Sequence, residues 1–582
     1  MTGIATAFQP DAAAAGGTTK VLAVKKFAVG DTIRMGDSGG GSGTATQELC
    51  IVKMLVGPGT ADITGAPSDT QGIGIQVWLP STANWNERIR SYGNGSWAGT
   101  AETSLTSFST AGDGVANQIA AANKGYLVTT SDNGTIKKGG GASGASGFMM
   151  SNGSINTTLW KDFAERSMHV TAVQAKALAL AYYGKKHKYA YFDGFSTGGR
   201  QGMKVVQAYP EDYDAVLAGA PAFNWTTFQN AQLYPTIVTI MDTGGTVISN
   251  AKGNAVRDAA IASCKPASGM YATLNLVPDT FSCKYDPTRD AAVLCNGVAG
   301  RYGVVGTNAD ATTCVTLNEA TAMNKMWYGQ TSDGSVPDPA IDNGSGGLLN
   351  TTNKQLWFGY ERGGVSPLTL AVSSTGNPFA NATENAAHIL QNPSYGPTNF
   401  TNQTGNGMRN WRFLDYSGLA TMSSLAISLQ DQFSRINTDN ADLSAFNARG
   451  GKVILYHGLA DAGIMPRGTL NYYTRLTQQM GASTVQAFSR FYTIPGLGHS
   501  GIVGGAGTGS GTNPLPTSSQ GKNEMFEALV AWRERGVAPQ EIVVQNGSAA
   551  AIQRSVPLCP FPKKVTYNGT GDENVAASYS CK

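Results

Sequence analysis

A serine within a Gly-x-Ser-x-Gly pattern is the best candidate nucleophile in this sequence. The pattern runs from Gly194 to Gly198, with Ser196 at its centre. It follows the strand-like stretch 188–192 and precedes a helical pattern, which is the context of a tight elbow that exposes a serine hydroxyl. A second match around Ser38 lies in a Gly/Ser-rich stretch without such flanks. The alternative role for Ser196 is that of a helix N-cap.

A serine hydroxyl needs a base within hydrogen-bond reach to act as a nucleophile at neutral pH. His499 is the preferred base because it lies in a Gly-rich segment, 495–501, directly after a predicted strand. We expect the other four of the five histidines to do something else. His187 is expected to be solvated and His169 to pack within a helix. His388 lies in the stretch later predicted to be an insertion, and His457 is expected to form turn or backbone hydrogen bonds.

The base in turn needs an acid that fixes its tautomer. Asp461 follows the predicted strand 451–456, at the strand end where open α/β sheets gather their reactive loops. The order Ser196, Asp461, His499 is that of α/β-hydrolases. Turn capping is the alternative role for Asp461.

A tetrahedral oxyanion needs two preorganised N–H donors. The first is expected from the backbone of Thr197, which follows the nucleophile. The second is expected from the Gly-rich loop 92–99, where Gly95 is preferred over Ser96. The alternative interpretation of this loop is an ordinary tight turn.

Alternating strand and helix patterns predict an α/β fold, with a helix-covered sheet that positions these residues. Strands are predicted at 74–79, 125–130, 188–192, 451–456 and 488–494, and helices at 162–183 and 200–209. The alternation stops between about Trp225 and Ala448. We therefore predict a core formed by residues 1–224 and 449–582, interrupted by a lid insertion at 225–448. Gly/Ser-rich runs at 36–43, 139–147 and 504–511 are expected to be loops.

The composition excludes several function classes. Only 14% of the 582 residues are charged and 73 are Gly, which is typical of a loop-rich polar surface rather than a highly charged disordered chain. The net charge of +3 gives no electrostatic indication of nucleic-acid binding. No apolar run approaches the length of a membrane span, so no membrane partner is expected. The sequence carries no indication of oligomeric state.

The cysteines favour an oxidising compartment. Six of the seven form three closely spaced pairs, each closing a loop of about twenty residues: Cys264 with Cys283, Cys295 with Cys314, and Cys559 with Cys581. Cys50 is left over. No CxxC pair is present, which argues against a structural zinc. Residues 1–20 lack the pattern of a signal peptide, so the chain is either mature or intracellular, and the cysteines favour a secreted or periplasmic protein. Seven reduced, buried thiols are the alternative.

Motifs along nearly the whole chain resemble those of the tannase and feruloyl esterase family. They are the stretch from Cys50 through Leu79–Pro80 and Trp85–Asn86 to Gly93–Gly99, then Ser131–Gly134, Gly194–Gly202, Tyr209–Asp214, Ala218–Ala222, Cys314–Thr316, Asp442–Phe446, Gly450–Gly458 with Asp461, and Pro495–His499. The resemblance implies a secreted α/β-hydrolase with a large lid that cleaves esters of aromatic acids, as feruloyl esterases, tannases and mono(2-hydroxyethyl) terephthalate hydrolase do. It also implies Ser196, Asp461 and His499 as nucleophile, acid and base.

The sequence departs from this family in three places. The family commonly joins the residues before the nucleophile and after the histidine by a disulfide, but here these residues are Phe195 and Ser500. The family's calcium loop begins after a cysteine with repeated Asp, whereas residues 265–272 contain no carboxylate. Because calcium needs several oxygen ligands, usually including carboxylates, no metal is expected. Thr135 replaces the family's usual histidine.

The expected activity is hydrolysis of a small aromatic ester through an acyl-enzyme, without a cofactor. Two alternatives remain: an aromatic-ligand-binding homologue with weakened or no catalysis, and an acyltransferase that uses the same triad. The insertion is rich in aromatic residues that could bind a planar acid, although its own core is the more common place for each. They are Trp327, Tyr328, Trp357, Phe358, Tyr360, Trp411, Phe413 and Tyr416. Arg362 and Arg409 could meet a substrate carboxylate, but solvated positions are expected for both.

Overall fold

The structure is a computed structural model that describes residues 8–13, 16–34, 42–97, 115–135, 144–366, 368, 376–500, 515, 523–548 and 551–582. The second Gly-x-Ser-x-Gly motif around Ser38, the loop end at 98–99 and the Gly/Ser-rich run 504–511 lie outside these residues. The described ends of the other two Gly-rich runs are not loops. They form the short strand Ser42–Thr44 and the 3-10 helix Gly144–Phe148.

A nine-stranded mixed sheet forms the centre of the described structure. In chain order, the described strands are β1 Thr19–Phe27, β2 Thr32–Arg34, β3 Ser42–Thr44, β4 Leu49–Val56, β5 Ile73–Pro80, β6 Arg88–Tyr92, β7 Leu127–Ser131, β8 Tyr189–Phe195, β9 Ala215–Gly219, β10 Thr401–Asn402, β11 Gly405–Asn406, β12 Lys452–Gly458, β13 Ser489–Ile494, β14 Ile542–Ser548, β15 Ala551–Leu558, β16 Val565–Tyr567 and β17 Tyr579–Cys581.

The order in the large sheet is β1-β4-β5-β7-β6-β8-β9-β12-β13. The last six of these strands run parallel, and β5, β4 and β1 extend the sheet in antiparallel fashion. All five predicted strands are present, as β5, β7, β8, β12 and β13. Their apolar runs lie almost wholly buried, as expected for strands covered on both faces. The other strands pair as β2-β3, β10-β11, β14-β15 and β16-β17.

Helices cover the sheet. The described α-helices are α1 Val115–Asn123, α2 Thr157–Lys161, α3 Ser167–Tyr183, α4 Thr197–Ala208, α5 Trp225–Asp242, α6 Asn250–Cys264, α7 Met270–Thr273, α8 Leu317–Tyr328, α9 Ala380–Ile389, α10 Tyr416–Ser428, α11 Ser444–Ala448, α12 Pro466–Met480, α13 Ala482–Phe488 and α14 Glu524–Arg535. The further 3-10 helices are Thr280–Ser282, Pro287–Arg289, Arg301–Gly303, Pro393–Tyr395, Asn410–Phe413 and Ala576–Ser578. Sheet and helices together confirm the predicted α/β class.

The helix predicted from residue 162 to 183 begins earlier than expected. Asn156 caps α2 by accepting a hydrogen bond from the Leu159 N–H. A π-helical turn, Asp162–Arg166, then joins α2 to α3, and Gly184 ends α3 with a φ of 70°. Glycine adopts this left-handed conformation at little cost, which makes it a common helix stop.

The segment between β9 and β12 contributes no strand to the large sheet among its described residues. It forms helices α5 to α11, short 3-10 turns and the small β10-β11 hairpin. Most of its buried apolar side chains share one cluster with Trp97, Phe148, Trp160 and Phe163 from the first part of the chain. The Trp97 ring meets the Trp225 ring at 5.1 Å, so the segment packs against the loop that carries Gly95.

A buried ion pair joins this segment to the core. Arg467 of α12 donates two hydrogen bonds to Glu361, of 2.9 and 3.1 Å, and both side chains are almost fully buried. Arg467 also donates to the carbonyl oxygen of Asn343 at 3.0 Å. A buried charge that loses its partner is strongly destabilising. The fold is therefore stable only when Glu361 and Arg467 are in contact, which fixes the position of this segment relative to α12.

Three disulfides are present, and they are the pairs expected from the spacing: Cys264–Cys283, Cys295–Cys314 and Cys559–Cys581. They close loops with sequence separations of 19, 19 and 22 residues. Each is expected to stabilise the fold by about 3 kcal/mol, chiefly by restricting the unfolded chain. Cys50 is a free thiol, buried in β4. None of the described helices is both long and apolar enough to cross a bilayer.

Candidate active site

Ser196 lies at a sharp turn between β8 and α4. Its backbone has φ 64° and ψ −121°, a conformation that costs a non-glycine residue free energy and that is concentrated at functional sites. Two glycines allow the turn. A Cβ at Gly194 would lie 2.2 Å from the carbonyl oxygen of Gly198, and a Cβ at Gly198 would lie 3.1 Å from that of Asn94. The strand-to-helix elbow expected from the sequence is therefore present.

The structure brings together the three side chains proposed as a triad. His499 Nε2 lies 3.0 Å from Ser196 Oγ, and His499 Nδ1 lies 2.8 Å from Asp461 Oδ2. Each follows a strand of the parallel part of the sheet, namely β8, β12 and β13. The carboxyl ends of these strands share one edge, so residues far apart in sequence meet there.

Asp461 is fully buried and accepts four hydrogen bonds. Its Oδ1 accepts from the N–H groups of Gly463, at 2.7 Å, and Ile464, at 2.8 Å. Its Oδ2 faces both His499 and His457. Burial alone would raise the pKa of Asp461, but the charge of His499 and the two histidine hydrogen bonds outweigh burial and hold this pKa well below its usual range. Asp461 therefore caps the turn, which was the alternative role, and also contacts the proposed base His499.

The structure corrects the role assigned to His457. Instead of only turn or backbone contacts, its Nε2 lies 3.1 Å from Asp461 Oδ2, so two histidines share one carboxylate oxygen. Sequence reasoning missed this contact, because a strand end followed by a turn leaves no periodic signal that brings residues 457 and 461 together. The chain reverses after β12, and that reversal brings the carboxylate back onto the ring.

The remaining histidines lie in other surroundings. His388 is buried with its Nε2 2.8 Å from the carbonyl oxygen of Ala145, and burial lowers its pKa to about 4. His169 lies 2.8 Å from Asp212, a hydrogen bond that raises its pKa. His187 is half-buried rather than fully solvated, and burial lowers its pKa.

The loop that carries Gly95 and Ser96 is fixed against the start of α4. Asn94 accepts from Asn133 and donates to the carbonyl oxygen of Ser131, each at 2.9 Å. Thr197 Oγ1 donates to the carbonyl oxygen of Ser96 at 2.8 Å, so the proposed donor residues are neighbours. From the segment between β9 and β12, Asn381 at the start of α9 donates to Ser96 Oγ at 3.0 Å. No sequence pattern pointed to Asn381.

Phe195 and Gly463 enclose the ring of His499. The Phe195 ring centroid lies 4.9 Å from that of His499 and 6.3 Å from that of Tyr456. A Cβ at Gly463 would lie 2.8 Å from His499 Cγ, so only glycine allows this approach. An aromatic ring thus contacts the histidine at the position where the resemblance implies a cysteine.

Most of the aromatic residues singled out in the insertion form its core. Trp327, Tyr328, Trp357, Phe358, Tyr360 and Trp411 are buried, whereas Phe413 is 76% exposed and Tyr416 is partly exposed. The expected solvated position is wrong for Arg362, which is buried and donates to Asn324 Oδ1 at 3.1 Å. It is right for Arg409, which is exposed.

The residues after Cys264 do not fit a calcium site. The ammonium group of Lys265 donates to the carbonyl oxygen of Ala272 at 3.2 Å and to Asn275 Oδ1 at 2.5 Å. A fixed positive charge already binds these oxygen atoms, and no carboxylate follows the cysteine up to residue 272. Among the described residues, the ligand-type atoms of His169, Glu211 and Asp212 all lie within 4.8 Å of one another.

The chain is similar to known proteins along nearly its whole length. Residues 59–582 match the family described as tannase and feruloyl esterase. A protein of Arthroderma benhamiae named "Probable feruloyl esterase" is 29% identical over 523 residues, which cover 87% of this chain and 82% of that protein. The crystal structure of feruloyl esterase B from Aspergillus oryzae is 25% identical, with a TM-score of 0.71 and 97% coverage of each chain. Tannin acyl hydrolase from Aspergillus niger is 20% identical, with a TM-score of 0.67, and covers 100% of this chain and 94% of that chain. These likenesses confirm the predicted α/β-hydrolase-type fold.

Proposed function

We propose that this chain, which belongs to the tannase and feruloyl esterase family, hydrolyses esters of aromatic acids through a covalent acyl-enzyme on Ser196. The chain is a carboxylic ester hydrolase, as its family and its likeness to a solved feruloyl esterase establish. The observation that carries the finer proposal is the unbroken hydrogen-bonded series from Ser196 through His499 to Asp461, with distances of 3.0 and 2.8 Å.

In the acylation step, His499 Nε2 accepts the hydroxyl proton of Ser196 while Oγ attacks the ester carbonyl carbon. Asp461 holds the Nδ1–H tautomer and stabilises the imidazolium that forms. The tetrahedral intermediate then collapses: the carbon–oxygen bond to the alcohol breaks, and His499 gives its proton to the departing oxygen. The acid remains as an ester of Ser196.

In the deacylation step, water takes the place of the alcohol. His499 accepts a proton from the water as the water oxygen attacks the acyl carbon. The bond from that carbon to Ser196 Oγ then breaks, and the proton on His499 passes to the serine oxygen. The aromatic acid leaves and the enzyme is restored, with no cofactor required.

The negative oxygen of both tetrahedral intermediates is proposed to bind the backbone N–H groups of Gly95 and Thr197. The hydrogen bond from Thr197 Oγ1 to Ser96 supports this proposal because it ties the two donor segments together before substrate arrives. Such preorganised donors contribute most when they need not move during the reaction. Ser96 is the second candidate within the loop.

Residues 225–448 are proposed to act as a lid over this site. Support comes from Asn381, which reaches from the insertion to Ser96, and from Trp225, whose ring meets that of Trp97. Both contacts join the insertion to the loop proposed to bind the oxyanion. A substrate bound between the insertion and this loop would lie beside the turn that carries Ser196. The names of the relatives favour phenolic acids such as ferulate or gallate over terephthalate monoesters as the acyl group.

The three disulfides favour an oxidising compartment, so we assign the protein to a secreted or periplasmic location. The compartment can be tested independently of activity. Reduction with a dithiol should lower the unfolding temperature of protein isolated from its source, whereas protein made with reduced thiols would show no such change.

Labelling with a fluorophosphonate and an activity assay of two serine variants test the proposed nucleophile. The probe should label Ser196, and Ser196→Ala should lower kcat/KM for aryl esters of ferulic or gallic acid by several orders of magnitude. Ser38→Ala, in the second Gly-x-Ser-x-Gly motif, is the matched control and should retain full activity. An unchanged rate for Ser196→Ala would refute the proposal. The binding-protein alternative predicts no labelling, and the acyltransferase alternative predicts ester products when an alcohol acceptor is added.

A further inference from the structure

His457 is a fully buried histidine whose two ring nitrogens both have polar partners. It occupies the penultimate position of β12, and its side chain has no exposed surface. Its Nε2 lies 3.1 Å from Asp461 Oδ2 and 3.1 Å from the carbonyl oxygen of Ile464. Its Nδ1 lies 2.8 Å from Thr469 Oγ1, on α12.

These contacts define the tautomer of His457. Both neighbours of Nε2, the carboxylate and the carbonyl, only accept hydrogen bonds, so Nε2 must carry a proton. Thr469 Oγ1 can donate its hydroxyl proton to Nδ1, so both ring nitrogens have a hydrogen-bond partner. A buried histidine held in one tautomer by three partners is a rigid N–H donor aimed at the carboxylate.

We propose that His457 is a positioning residue of the active site, which fixes the carboxylate of Asp461 for His499 by donating from Nε2 to the same oxygen that His499 contacts. This inference rests on the proposed function, since it gives the acid of the triad its own orienting donor. Backbone N–H groups of 463 and 464 hold one carboxylate oxygen, and His457 holds the other. With both oxygens held, the plane of the carboxylate cannot turn away from His499.

The hydrogen bond from His457 also offsets part of the negative charge on the Asp461 carboxylate. Without this hydrogen bond, the carboxylate attracts the imidazolium form of His499 more strongly, and that form becomes more stable. His499 can act as a base only when neutral, so activity is lost as pH falls through its pKa. Loss of the His457 donor should therefore move the acidic limb of the pH profile to higher pH. A purely structural loss would lower activity at every pH and leave the limb in place.

The charged and titratable surroundings of Asp461 can be named for the part of the chain that the structure describes. Asp461 interacts electrostatically with His499, His457 and Tyr360. Burial raises the pKa of Tyr360, so this phenol stays neutral across the working range of an esterase. The ionisation that sets the acidic limb is therefore expected to be that of His499, as modified by the donors on Asp461.

The test is the second-order rate of inactivation by a fluorophosphonate as a function of pH, for the full chain and two variants of His457. His457→Gln places an amide N–H near the position of Nε2, whereas His457→Leu fills the space without a donor. The glutamine variant should keep the limb and stay within about threefold of the wild-type rate. The leucine variant should lose about tenfold to a hundredfold, the worth of a hydrogen bond to a charged group. Its limb should move up by about half to one pH unit.

The controls separate the possible failures. His388→Leu removes another buried histidine, one that contacts a backbone carbonyl oxygen instead of Asp461, and should leave the limb in place. If the leucine variant of His457 does not fold, His457→Asn replaces it with the same expectation, because its shorter amide does not reach Asp461. Equal profiles for the glutamine variant and the variant without a donor would overturn this inference alone. No reaction of the wild-type chain at Ser196 would overturn the proposed function itself.

Discussion

Replacing Asp461 by asparagine removes the charge that orients the base while keeping the shape of the side chain. The carboxylate accepts four hydrogen bonds, two from backbone N–H groups on Oδ1 and two from histidines on Oδ2. The amide oxygen of Asp461→Asn should stay with the backbone donors. Its NH₂ group would then point at His499 Nδ1 and at the N–H of His457.

The size of the loss follows from this geometry. An NH₂ group facing Nδ1 makes that nitrogen the acceptor, so the proton moves to Nε2, which faces Ser196 at 3.0 Å. A protonated Nε2 cannot accept the serine proton. The same exchange in another serine hydrolase triad lowers kcat by about 10⁴, which corresponds to about 5 kcal/mol of transition-state stabilisation. We expect a loss of that order here.

The assay is kcat for an aryl ester of ferulic acid at pH 7, with the unfolding temperature measured alongside. Asp212→Asn is the matched control because Asp212 forms the same contact with His169, 2.8 Å from carboxylate oxygen to Nδ1, outside the triad. The control should stay within a few fold of the wild type. If a folded Asp461→Asn enzyme kept more than a tenth of its activity, the role assigned to Asp461 would be wrong.

Three further predictions concern the surroundings of the triad. Asn381→Ala should lower kcat/KM about threefold to tenfold, which corresponds to the loss of one hydrogen bond, without changing the unfolding temperature. An unchanged kcat/KM would count against a role of Asn381 in holding the loop at Ser96. Glu361→Ala leaves Arg467 as an unpaired buried charge and should reduce the free energy of unfolding by about 3–5 kcal/mol, measured by urea denaturation, while an unchanged midpoint would contradict this. Combining Phe195→Cys with Ser500→Cys should form a disulfide and raise the unfolding temperature. A bridge that forms without this gain would contradict the expectation that a disulfide between these two positions stabilises the fold.

The sequence predicted the sheet and the elbow well because both depend on local patterns. Apolar runs such as 188–192 and 451–456 are long enough to be buried strands, and the glycines around Ser196 are there because a Cβ would collide with the backbone. The edge strand Thr19–Phe27 was not predicted. Its residues alternate only weakly between buried and exposed, and it gains its place by pairing with β4.

Contacts that depend on how a loop turns, or on how distant segments pack, could not be predicted in this way. His457 contacts Asp461 because the chain reverses after a strand, and that reversal leaves no periodic signal. Arg362 was expected in solvent because arginine usually is, but the insertion folds around it. Likewise, Asn381 reaches Ser96 because α9 packs against the 92–97 loop, where the His388 ring meets that of Trp97 at 5.1 Å.

The mass of the acyl-enzyme is the measurement that tests the central claim most directly. An aryl ester of ferulic acid is mixed with the wild-type chain and quenched with acid before deacylation is complete, and the protein and its peptides are then weighed. One feruloyl group should be found on the peptide that contains Ser196, and none on the Ser196→Ala variant. A feruloyl group on another residue, or full turnover with no adduct at any quench time, would contradict the account.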